Sequence, residues 1–130
     1  MPDAIPTLSI GEVAERTGLS VHALRFYERE GILATPIHRG ADSRRRYSEA
    51  DLDWLGICVK LRASGMPIHA MRRYAELVRE GNGSELERLA LLKAHQERIE
   101  GQMAELSECL DVIERKIKVY EKHHGLTSGQ

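Results

Sequence analysis

The chain has little of several things, and each scarcity excludes something. It carries two cysteines, one tryptophan and one phenylalanine in 130 residues. Cys58 and Cys109 are too few and too far apart for a disulfide framework or a zinc motif, which fits a reducing compartment. No apolar run approaches the roughly 20 residues of a membrane span. Met1-Pro2-Asp3-Ala4-Ile5-Pro6 lacks the basic and then apolar order of a secretion signal. A cytoplasmic protein with no membrane partner is the expectation. No phosphate loop, nucleophile elbow, or paired histidine and acid at useful spacing is visible. No catalytic residue, cofactor or metal site is therefore assigned, and an enzyme is not expected. Excess charge of one sign is also missing, with a net charge of −1.

Local charge is another matter. Between residues 38 and 47, Arg39, Arg44, Arg45 and Arg46 stand against the one acid Asp42, a local excess of +3. A patch of that kind neutralises phosphates even on a nearly neutral chain. Its bland reading is a solvated charge run, which is common. Its neighbours decide.

Ser9 with Glu12 reads as a capping box, and Ile10, Val13 and Ala14 share one helical face. Gly18 stops that helix. Ser20 caps a second helix over 21–30, with Gly31 as its terminator. Pro36, Gly40, Asp42 and Ser43 form turns, and Ile37-His38-Arg39 and Arg45-Arg46-Tyr47 pair as a small hairpin. Ser48 with Asp51 caps a third helix over 49–64, stopped at Gly65. A fourth runs over 68–80 behind Pro67, whose missing N–H costs nothing at a helix start.

Two short helices split by Thr17-Gly18-Leu19-Ser20 have the organisation of a helix-turn-helix, whose second helix enters the major groove. His22 and Ala23 lie where base-edge contacts usually occur. Arg25 has a planar fork suited to base edges and phosphates, and Tyr27 a hydroxyl suited to phosphate. Leu24 and Tyr27 share a face at i, i+3, so part of the Tyr27 ring is core. Phe26 fits core and DNA contact equally. The arginine-loaded hairpin beside this unit reads as a wing.

From residue 84 to 123 the pattern is one long helix of about 60 Å at 1.5 Å per residue. Leu89, Leu92, Gln96, Ile99, Met103, Leu106, Leu110, Ile113, Ile117 and Tyr120 recur in alternating steps of three and four, a heptad seam. Nothing else in the chain is long enough to cover it. The same helix of a second chain is the simplest cover, with Gln96 as its polar register residue.

The motifs "SIGEVAERTGLSVHALRFYEREGIL", "SRRRYSEADLDWL" and "LRASGMPI" together resemble the MerR family of bacterial transcription regulators, over about residues 8–80. The resemblance implies a mainly α fold: a winged helix-turn-helix domain with a second helix pair over 1–80. An antiparallel dimerisation coiled-coil helix over 84–123 and a tail over 124–130 follow. It implies a homodimer on a near-palindromic operator of double-stranded DNA between overspaced promoter elements. Distortion of that DNA lets RNA polymerase engage both elements. By position, Arg25 and Tyr27 match the family's recognition-helix contacts, Arg45 and Tyr47 its wing, and Lys60 and Arg62 fall where the third helix reaches phosphate. Ser43-Arg44-Arg45 stands where family wings often read Gly-Tyr-Arg.

The metal sensors of the family carry a cysteine set that this chain lacks, and the terminal His123-His124 reads as solvated. The large drug-binding domain of other members has no counterpart here. The chain resembles the short branch that answers aldehydes and thiol-reactive molecules, where a cysteine in the third-helix region is the sensor. That position aligns with Lys60. Cys58 is nearby and is the candidate sensor for an electrophile, with Lys60 or Arg62 to lower its pKa. A small buried hydrophobe beside Leu55 is the reading favoured for it. A second place for a small-molecule effector is the junction of the fourth helix and the coiled coil, where Met66, Met71, Tyr74 and Leu77 would line a pocket against the long helix of a second chain, residues that are more often plain core. The competing function, from a different class, is a coiled-coil adaptor whose basic loop binds an acidic protein.

Overall fold

The computed structural model describes residues 7–34, 38–40 and 45–125. Five helices and one hairpin follow in the order α1 Ile10–Thr17, α2 Val21–Arg29, β1 His38–Arg39, β2 Arg45–Arg46, α3 Glu49–Ala63, α4 Ile68–Glu80 and α5 Glu85–His123. The helix ends lie where the capping residues put them. Ser9 and Glu12 close a full capping box, with the Glu12 N–H donating to Ser9 Oγ at 3.2 Å and the Ser9 N–H to Glu12 Oε1 at 2.8 Å. Ser48 and Asp51 do the same for α3. Gly18 closes α1 at φ 79°, a left-handed conformation that glycine adopts without a Cβ penalty. Helix α2 ends at Arg29, one residue before the expected Glu30, and α5 begins at Glu85 rather than Ser84. The Ser84 hydroxyl donates instead to the carbonyls of Leu77 and Gly81, at 2.7 and 3.0 Å. It thereby satisfies carbonyls that the end of α4 leaves over.

The chain divides into two compact units, one ending at Leu92 and the other beginning at Lys93. The first two turns of α5 thus belong with the N-terminal unit, so the border lies beyond the 80–84 expected from sequence. Leu91 packs against that unit's core, which explains the shift. The core itself gathers Val13 of α1, Leu24 and Tyr27 of α2, Ile32 and Leu33 of the following turn, Tyr47, Leu55 and Cys58 of α3, and Met66 and Met71 around the start of α4. Burying side chains of this size contributes about 1.5–3 kcal/mol each.

Strands β1 and β2 pair antiparallel, His38 opposite Arg46 and Arg39 opposite Arg45. Two residues per strand cannot hold a hairpin alone. Leu8 extends it through an isolated bridge to Tyr47, with N–H to carbonyl distances of 2.7 and 2.8 Å in the two directions. The segment before α1 is thereby tied to the strand before α3. The expected turn at Pro36, Asp42 and Ser43, and the tip residue Arg44, lie outside the described residues.

Candidate nucleic-acid interface

The turn between α1 and α2 is built by short polar side chains. Thr17 Oγ1 donates to the Val13 carbonyl at 2.8 Å and accepts from the Leu19 N–H at 3.2 Å. Ser20 Oγ then accepts from the Ala23 N–H at 3.0 Å and opens α2. Leu24 and Tyr27 lie on the buried face of that helix. His22, Arg25 and Arg29 are exposed and follow the i, i+3, i+7 spacing of one face. The polar face is therefore continuous for two turns. Arg29 escaped the sequence reading, although its four-residue step from Arg25 is a visible signal. Ala23 is half-buried beside this stripe.

The wing strand is tied to α2. Arg45 Nε pairs with Glu28 Oε1, both side chains being about three-quarters covered. Arg45 thus holds the wing on the recognition helix rather than standing free, which changes the role expected of it. Arg46 is half-buried, and its charge helps hold the Glu12 carboxyl below the usual range, after the larger effect of the hydrogen bonds from Ser9. Residues His38 and Arg39 are placed by their backbone in β1.

Three expected contacts take different places. Tyr47 is wholly buried, and its hydroxyl has no hydrogen-bond partner among the described residues. Burial first, then the Glu28 carboxylate, push its pKa up. The bridge to Leu8 turns this ring into the core, so its hydroxyl is not presented to a phosphate. Tyr27 is buried as well, with a pKa raised by burial and then by Cys58. The i, i+3 spacing from Leu24 already places part of the Tyr27 ring in the core, and the burial is nearly complete. Arg62 donates from Nη1 to the Met66 carbonyl at 3.1 Å and so ties α3 to the turn that follows it. Lys60 remains exposed and lines a cleft of about 360 Å³ with Arg16, Thr17 and Asp53. Phe26, which the sequence left open, is partly buried against the core with its ring tilted 51° to Tyr27 at 6.1 Å.

Cys58 is 1% exposed. Burial pushes its thiol up to about 12. The lowering expected from Lys60 or Arg62 is absent from the causes of that shift. The sensor role is corrected accordingly, since a thiol needs its thiolate to react. Met66, Met71 and Leu77 are buried, and Tyr74 stacks on Trp54 with ring centroids 5.4 Å apart, so the pocket imagined there is filled core. Among the described residues no group of three or more His, Cys, Asp or Glu could hold a metal ion. Among them, too, no helix is long and apolar enough to cross a membrane.

The ten residues of the expected seam lie along α5. Gln96 is exposed, Ile99 is half-buried, and the apolar others range in exposure from 36% at Leu92 to 69% at Leu106.

A helix-turn-helix with a cationic stripe and a strapped wing now meets its relatives. The family model described as "MerR HTH family regulatory protein" matches residues 8–77. The chain belongs to the MerR HTH family of regulatory proteins. Its relatives include an HTH-type transcriptional regulator of Haemophilus influenzae, 34% identical over 122 residues, spanning 94% of this chain and 90% of that protein. The mercuric resistance operon regulatory protein of Shigella flexneri is 30% identical over 130 residues, spanning 98% of this chain and 87% of that protein. Among solved structures, HiNmlR, described as a MerR family regulator lacking the sensor domain and bound to promoter DNA, superposes with a TM-score of 0.82 at 34% identity. It covers 93% of this chain and 95% of its own. These relatives are described as regulators.

Proposed function

We propose that this MerR-family regulator is a homodimer that binds a near-palindromic promoter operator in double-stranded DNA, in the bacterial cytoplasm. The observation that carries the reading is the exposed stripe His22, Arg25 and Arg29 on α2, beside a wing strand held by the Glu28–Arg45 pair. An arginine in the major groove reads guanine through two parallel hydrogen bonds. Arg46 and Lys60 add phosphate contacts at the edges, and Arg39 and Arg44 of the hairpin grip the adjacent backbone or minor groove, while Arg45 holds the wing on α2. The relative solved on promoter DNA at 34% identity supports this placement.

The exposed seam of α5 supports an antiparallel coiled coil with a second copy. Two recognition helices then meet two half-sites, so the operator mirrors the two-fold axis of the protein. Contact at both half-sites bends or untwists the DNA between promoter elements, and RNA polymerase reads that change of shape. The effector is a small molecule or another regulatory input that acts without direct alkylation of Cys58, because the thiol is buried and protonated.

Arg25→Ala tests the groove contact. The expected result is a loss of about 10- to 100-fold in affinity for the preferred duplex, with non-specific binding at matched salt almost unchanged. Fluorescence anisotropy on both duplexes measures it. Equal losses on both would reduce Arg25 to a backbone contact. Binding that ignores DNA sequence at every salt concentration would favour the acidic-partner adaptor.

A further inference from the structure

Four successive backbone carbonyls after α2 are met by side chains from α3 and α4. Trp54 Nε1 donates to the Ile32 carbonyl at 2.7 Å. Arg72 Nε donates to the Glu30 carbonyl at 2.8 Å, and its Nη2 pairs with the Glu30 carboxylate. Arg79 Nη1 donates to the carbonyls of Gly31 and Leu33, at 3.0 and 2.6 Å. Gly31 is left-handed at φ 72°, and a Cβ there would stand 4.0 Å from both Arg72 Cγ and Arg79 Nη2. Ile32 and Leu33 are buried in the core below. Tyr74 stacks on Trp54 and steadies the third donor.

Ordering two arginines and a tryptophan around one short turn costs side-chain entropy, and water alone satisfies most loop carbonyls at a surface. The turn they grip is the joint between α2 and the wing. Its other fastening is Glu28–Arg45, one residue before the end of α2. Together the two fastenings fix where the stripe of α2 points relative to the wing.

We infer that Arg72, Arg79 and Trp54 are positioning residues for DNA recognition, which hold the recognition helix and the wing at one angle through the carbonyls of Glu30–Leu33. The inference rests on the DNA-binding reading above. Arg72 Nε and Nη2, Arg79 Nη1 and Trp54 Nε1 all donate into the turn, so the contribution argued for them reaches DNA through α2 and the wing. Groove contacts depend on that angle, because base readout needs hydrogen-bond geometry, whereas non-specific phosphate attraction tolerates misalignment.

The test compares Arg72→Met, Arg79→Met, Trp54→Phe and Arg79→Lys with Arg73→Met. Arg73 lies on the same helix but pairs with Glu76 and Glu87 at the surface. The probes are the duplex that the wild-type protein selects from a random library and a scrambled duplex of equal length. The two Met variants are expected to lose about tenfold in affinity for the selected duplex, and Trp54→Phe about threefold, since charge-assisted hydrogen bonds outweigh neutral ones. Affinity for the scrambled duplex and the salt slope stay as in wild type. Arg79→Lys recovers part of the loss, because an ammonium can donate to both carbonyls. Arg73→Met leaves the ratio unchanged. Circular dichroism fixes the folded fraction of each variant, and Trp54→Phe retains its ring in the core if a Met variant fails to fold. An unchanged ratio of selected to scrambled affinity in the folded variants overturns the inference, and so does a loss in Arg73→Met as large as theirs. A wild-type protein with no preference for any duplex overturns the DNA-binding reading and this inference together.

Discussion

Replacing Leu110 with glutamate leaves the protein monomeric and lowers its affinity for the selected duplex by about a thousandfold, since linking two binding modules raises avidity by 10²–10⁴. Leu110 sits in the middle of the exposed seam of α5, 56% accessible in the single chain. In a two-fold dimer each substitution occurs twice, so two carboxylates enter one apolar strip. Burying an unpaired charge there is far more costly than the strip can offset. Each freed chain still carries one intact helix-turn-helix. It therefore still binds DNA through its own phosphate contacts, with about half the salt slope of the dimer, but cannot engage two half-sites at once. Sedimentation equilibrium and anisotropy measure the two effects. A Leu110→Glu protein that stays dimeric with wild-type affinity would remove the seam from the account. Gln96→Leu is the complementary change: it removes the polar seam position, and the assembly becomes tighter but less particular about register.

Alkylation of Cys58 by iodoacetamide is expected to run at least about a thousandfold slower in the folded protein than in the unfolded chain. The thiolate does the work, and a pKa near 12 against an ordinary 9.0 leaves about a thousandth as much of it at neutral pH. Occlusion slows the reaction further, because the residue is almost wholly inaccessible. Mass spectrometry separates Cys58 from the exposed Cys109. The same shift has a stability consequence of definite sign. Between the unfolded and folded pKa values the folded state holds a proton that the unfolded state has released. Stability is therefore full below about pH 9 and declines as pH rises toward 12, at about 1.4 kcal/mol per pH unit for this group. Tyr27 and Tyr47, also raised by burial, push in the same direction. Rapid labelling of Cys58 at neutral pH in the folded protein would restore the thiol as a sensor.

What was legible in the sequence is what short-range chemistry decides. Ser9 with Glu12, Ser20, and Ser48 with Asp51 mark three helix starts, and Gly18 marks a stop. These signals work because a cap needs only neighbours three or four residues away. The length of α5 was legible for the same reason, since its period is local. The hairpin was legible in outline, with its pairing at 38–39 and 45–46. Less visible was which face each aromatic takes. Tyr47 goes inward because of a bridge to Leu8, 39 positions away in sequence, and no local pattern announces that contact. Arg45 and Arg62 read as free cations from composition, yet each has a protein partner, Glu28 and the Met66 carbonyl. The three donors on the Glu30–Leu33 turn were invisible altogether. A side chain that reaches a backbone carbonyl 22 to 48 positions away imposes no residue type on its acceptor. Arg29 is the reverse case, since the spacing that reveals it was there to be read.

In the proposed assembly two copies present two α2 stripes to a two-fold symmetric site. The most direct measurement is selection of duplexes from a random library by the intact protein, followed by sequencing of what is retained. The expected product is an inverted repeat whose half-sites are centred about one or two helical turns apart, each bound by one recognition helix. Recovery of duplexes with no shared or symmetric sequence, held no more tightly than the starting pool, would contradict that assembly.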